Sequence, residues 1–168
     1  MSQWFDEITL ELVAKDAGVT VQTVIRRFGG KEGLITRAGQ VLSEQIKEQR
    51  TAPPGDLAGM VTRLLADYEQ TGDAVLRLLA LELRHPVLKP FLDFGRREHR
   101  DWTAGVFASR LHRLKPAARD AALDALVVAT DVYTWKLLRR DRANSVAATQ
   151  TILVRLIQAI LTEFSPTN

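Results

Sequence analysis

Apolar residues recur at three- and four-residue intervals along almost the whole chain, and no convincing run alternates apolar with polar residues at period two. That periodicity predicts an all-α fold. A short helix is expected over residues 10–17, where Leu10, Val13, Ala14 and Ala17 share a face before Gly18 ends it. A second follows Thr20, a good N-cap residue, and runs to Phe28, where Gly29-Gly30 stops it. A third covers 31–49, with Leu34, Ala38, Val41, Leu42 and Ile46 on one stripe. The Thr-Ala-Pro-Pro-Gly linker ending at Gly55 divides the chain into a head with its connecting helix (1–49) and a helical-bundle body (56–168). Body helices are expected over 56–70 and 73–84. The His85-Pro86 and Lys89-Pro90 pairs then break the pattern before a long helix over 91–114. The next helix carries Pro116 in its first turn and reaches residue 140, and the last spans 145–164.

Composition serves mainly to exclude. The 168 residues are 46% hydrophobic and 26% charged, enough for a real core. No cysteine is present, which rules out disulfides, thiolate metal sites and cysteine nucleophiles. His85, His99 and His112 lack metal-ligand spacing, and Gly30-Lys31 is no phosphate loop, because Ile25 stands where that loop needs a glycine. There is no nucleophile elbow. An enzyme is therefore not expected, nor a cofactor or metal. No stretch approaches the roughly 20 apolar residues of a bilayer span, and residues 1–8 lack a basic region leading into an apolar run. No membrane partner is expected, and a cytoplasmic location is.

The last two helices are apolar on more than one side. Leu153, Ile157, Ile160 and Phe164 form one stripe with Ile152 and Leu156 beside it; Leu126, Tyr133 and Leu137 form another on the preceding helix. Such breadth suits a four-helix interface between two copies. Leu126, Tyr133, Leu153, Leu156, Ile157 and Ile160 are its candidate residues.

Residues 8–34 have helix-turn-helix anatomy, two short helices around a turn at Ala17-Gly18-Val19. Val19, Val24 and Phe28 are expected to clamp the second helix onto the first, leaving Val21, Gln22, Arg26 and Arg27 outward. Small, amide and guanidinium groups on a short helix suit a DNA major groove. Arg26, Arg27, Lys31 and Arg37 meet only Glu32 between residues 20 and 40.

The series Thr9, Val13-Ala14, Ala17-Gly18-Val19, Thr20, Thr23, Arg26, Phe28, Lys31-Glu32 and Leu34 resembles the head of the TetR (tetracycline-repressor) family. The stretch from Tyr133 to Asp141, followed by a long amphipathic helix, resembles that family's tail. The resemblance implies a homodimeric, ligand-responsive regulator, a repressor, whose partners are double-stranded operator DNA and a small-molecule effector. It places Thr20, Thr23 and Lys31 on phosphates, and Val21, Gln22, Arg26 and Arg27 at base edges. Two departures stand out. Ile25 occupies the position of the family's tyrosine, and only eight residues precede Thr9, so the head reads as lacking its first helix, with Trp4 and Phe5 resembling that helix's end. A dimeric ligand-binding or interaction module that no longer binds DNA is the alternative. The family binds its effector among the middle helices, which makes Tyr68, Phe91, Phe94, Trp102 and Tyr133 candidate pocket residues. His99, flanked by charges, reads as part of a solvated face, although with Arg96 it is a candidate for meeting an acidic effector.

Overall fold

Side-chain caps and glycines set the helix boundaries in the computed structural model, which describes residues 9–53 and 55–165. Thr9 opens α1 (Leu10–Asp16) by accepting a hydrogen bond from the Leu12 amide, and Thr20 opens α2 (Val21–Phe28) by accepting one from Thr23. Between them Gly18 turns the chain at φ 65°, and Gly29 closes α2 at φ 77°, a conformation that would strain a residue with a Cβ. Gly30 then leads into α3 (Lys31–Gln49). Asp56 caps α4 (Leu57–Leu81), and Ser145 caps α9 (Val146–Glu163). Among the described residues there are nine α-helices and no strand.

Three expected boundaries are corrected. The break between 70 and 73 does not exist, because α4 runs straight through Gly72. A Cβ there would lie 2.6 Å from the Trp135 ring, so this glycine admits a large aromatic rather than ending a helix. The helix expected over 91–114 begins at Lys89, after a 3-10 turn at Pro86–Leu88, and stops as α5 (Lys89–Val106). Phe107 leaves helical geometry with its side chain buried, and one further turn, α6 (Ala108–Leu111), follows. The helix from Pro116 divides at Asp131, whose extended backbone ends α7 (Pro116–Thr130) and whose carboxylate caps α8 (Val132–Lys136). A π-helical turn, Leu137–Asp141, completes that segment.

The body is built around α4, which packs against α8 and α9, while α7 bridges α5 and α9. Its core joins Met60, Leu64 and Leu65 of α4 to Leu126, Trp135 and Leu153, all at most 2% exposed. Each such side chain contributes about 1.5–3 kcal/mol on burial. The smaller cluster of Leu81, Leu88 and Leu92 holds the 3-10 turn against α5. By length and composition α9 is apolar enough to cross a membrane, yet its Thr149, Leu153 and Ile157 lie in the core.

Candidate functional site

Among the described residues the head holds three helices, with α2 packed on both α1 and α3. Ala14 and Val24 are buried at its centre and Phe28 is half-buried, whereas Val19 is 43% exposed and clamps nothing. Gly33 sits directly beneath the carbonyl of Phe28, where any side chain would collide, and this lets α3 leave the head at close range. Gln22, Arg26 and Arg27 are exposed along α2, with Arg27 extending over the Phe28 ring at 5.9 Å. Val21 and Thr23 are half-buried, and the Thr20 and Thr23 hydroxyls lie 3.0 Å apart at the start of α2. Lys31 stands at the first position of α3, behind a glycine that offers no side-chain cap. Two helix N-termini and the guanidinium groups of α2 therefore present donors and positive charge, the equipment for phosphates and base edges. Ile25, 41% exposed, adds only an apolar contact to that face.

A cavity of about 200 Å³ lies between α3, α4, α5 and the start of α8. Tyr68, Phe91, Phe94, Trp102 and Tyr133 all line it, so the structure brings together the five aromatic residues singled out from the sequence. From α3, Leu42 and Ile46 contribute a wall, extended by Arg50 at the helix's C-cap. Further along the same helix Gly39 meets Phe91 so closely that a Cβ would fall 2.7 Å from the ring.

One end of the cavity is polar. The Arg50 guanidinium, 6% exposed, is paired with the buried Asp67 carboxylate; its Nε donates to Oδ2 at 2.7 Å. It lies 4.9 Å over the Tyr68 ring and 5.2 Å over Trp102. Asp67 also accepts from the Thr71 hydroxyl at 3.0 Å. The Tyr68 hydroxyl donates to the Thr130 carbonyl at 3.0 Å, and burial pushes its pKa up.

His99 overturns its expected place on a solvated face. Its ring stacks on Trp102 at 5.6 Å, Nδ1 is 3.4 Å from Arg50 Nη1, and Nε2 is 3.1 Å from the Thr130 hydroxyl. Burial, reinforced by the Arg50 charge, pushes its pKa down to about 4. The imidazole is thus neutral near pH 7, and Nδ1 accepts from the guanidinium. Arg96, its expected companion, is committed elsewhere: it bonds Glu82 at 2.9 Å and Asp93 at 2.8 Å.

Comparison with known proteins bears on the head. Residues 5–38 match the model of a family described as bacterial regulatory proteins, tetR family. The head of the chain is of the TetR-family type. No curated protein matches the chain. Proteins of that family are DNA-binding transcription regulators and not enzymes. Trp4 and Phe5 lie outside the described residues.

The expected contact surface between two copies of the chain needs correction. Leu126, Leu153 and Ile157 are at most 2% exposed inside their own protomer, where they pack with α4, so a second copy cannot reach them. Ile160 is half-buried against the same core. Tyr133 and Leu156 are exposed, and Val128, Leu137 and Ile152 join them as exposed apolar side chains on the same two segments.

The sequence reading missed Arg50, Asp67 and Asp131. The first two had no local signal, since a charged residue at a helix end and another within an amphipathic helix are ordinary surface features. Asp131 did have one, because an aspartate inside an apolar run is a strong N-cap.

Proposed function

We propose that this regulator is a homodimeric, ligand-responsive repressor whose operator affinity is set by what occupies the body cavity. The observation that carries this reading is that α3 belongs to both sites. Its start packs on α2 in the head, and its later residues, from Gly39 to Arg50, wall the cavity. A ligand that favours one placement of α3 shifts the population of head positions and so the spacing of two heads in a dimer. The exposed apolar side chains of α7 to α9, Val128, Tyr133, Leu137, Ile152 and Leu156, support pairing of two copies there. Gln22 and Arg26 are the proposed base readers on α2, with Thr20, Thr23, Arg27 and Lys31 on phosphates.

The test is binding to the DNA flanking the protein's own gene across a salt series, followed by fluorescence anisotropy. Sequence-preferring binding is expected. Arg26→Ala should cost about 1–3 kcal/mol on the preferred site and relax the preference. Lys31→Ala should weaken all sequences alike and reduce the salt slope by about one. Absence of binding by folded dimer, or an unchanged affinity in Arg26→Ala, would overturn the assignment.

A further inference from the structure

We propose that the cavity takes an organic cation, an apolar or aromatic body bearing a single positive charge such as a protonated amine, with Asp131 as its counter-charge. This rests on the reading of the cavity as the effector site and names the chemistry of its occupant.

Every cation along the cavity wall already has a carboxylate. Lys47 is paired with Glu98, Arg50 with Asp67, and Arg96 with Glu82 and Asp93. Asp131 is left over. Its Oδ1 accepts from the Tyr133 amide at 2.8 Å, and among the described residues it makes no ion pair, although it is half-buried on the cavity wall. His99, at the same end, supplies no balancing charge, because its Nδ1 faces the Arg50 guanidinium as an acceptor. The polar end therefore carries one uncompensated negative charge.

The aromatic walls point the same way. Arg50 covers Tyr68 and Trp102, while Phe91, Phe94 and Tyr133 have no protein cation over their rings among the described residues. Ring faces beside an unpaired carboxylate attract a cation by both their quadrupoles and the full charge. A carboxylate ligand would instead meet Asp131 and a guanidinium whose own carboxylate is already in place. An uncharged ligand would bury Asp131 without replacing its water.

The experiment compares three probes that share one body, 4-phenylbutylamine, 4-phenylbutanol and 4-phenylbutanoate, by calorimetry on the full chain at pH 7. The amine should bind about tenfold or more tighter than the alcohol, with the carboxylate weakest. In Asp131→Asn the amide oxygen keeps the cap on α8, so the fold is retained. The amine should then fall to the level of the alcohol, while the alcohol changes by less than about threefold. Equal binding of amine and alcohol, tightest binding of the carboxylate, or an undiminished preference in Asp131→Asn overturns the charge assignment and leaves the cavity standing as a binding site. Binding of none of the three overturns the cation and removes the support for the cavity as well.

Discussion

Gly72→Ala sets two opposing effects against each other at one buried position. In the middle of α4, alanine gains about 1 kcal/mol over glycine in helix propensity. Its methyl, however, would lie 2.6 Å from Cζ3, 2.8 Å from Cη2 and 3.0 Å from Cε3 of Trp135. That ring cannot easily move. It is 1% exposed, its Nε1 donates to Glu69 at 2.8 Å, and the Arg140 guanidinium lies 4.4 Å from its centroid. Glu69 is itself held by Arg139, whose hydrogen bonds keep the carboxyl below the usual carboxylate range. Forcing a methyl into such a contact costs about 1–3 kcal/mol, so the expected net effect is a loss of about 1 kcal/mol. For a chain of this size that lowers Tm by about 2–4 °C. Urea unfolding followed by the helical circular dichroism signal measures it. Trp135→Phe removes the outer ring atoms, and in that background Gly72→Ala should be neutral or stabilising, a coupling of about 1 kcal/mol or more in the double-mutant cycle. A Gly72→Ala variant more stable than the parent, with Trp135 intact, would refute the packing.

Three further outcomes are expected. His99 keeps its neutral form to about pH 4 when folded, against 6.5 for the free side chain, and it faces Arg50 from α3, Asp67 and Tyr68 from α4, and Asp131 at the start of α8. Between those values the unfolded chain binds a proton that the folded chain refuses, so stability falls by about 3 kcal/mol as pH drops from 6.5 to 4 and is unaffected above. His99→Gln should lose correspondingly less over that window in urea titrations at several pH values, and an equal loss would argue against the buried neutral ring. The Thr149 hydroxyl is buried without a hydrogen-bond partner among the described residues. Thr149→Val should therefore stabilise by about 1 kcal/mol in thermal melts, and a marked destabilisation would reveal a partner. Ile152→Glu with Leu156→Glu leaves the protomer core untouched and should give folded monomers by light scattering, whereas an unchanged dimer mass would place the interface elsewhere.

The head was the most legible region, because its boundaries are written locally: Thr20 caps, Gly18 and Gly29 take positive φ, and the bounds of α3 fall where the sequence puts them. The body was legible only in outline. Gly72 reads as a helix stop until its distant partner Trp135 is known, and no window of sequence contains both. His99 was misread because its charged neighbours in sequence project to other faces of α5. The residues one turn on, Trp102 and Thr103, share its face and are respectively half-buried and buried. The breadth of the apolar stripes on α7 to α9 was real, but it mixes two audiences: Leu126, Leu153 and Ile157 face α4, and only their flanks remain outside.

Where Gly39 of α3 meets Phe91 of α5, the connecting helix offers bare backbone to the ring. Helices normally resist sliding because ridges on one lodge in grooves of the other. At Gly39 that ridge is absent, so the register of α3 on α5 is fixed further along, where Ser43 and Lys47 both reach Glu98. Displacement of the connecting helix then meets its main resistance over its second half, where those two side chains hold α5 and Arg50 is anchored to Asp67. Such an arrangement leaves the anchored half of α3 as its fixed base, and small adjustments there become larger travel at the start of the helix.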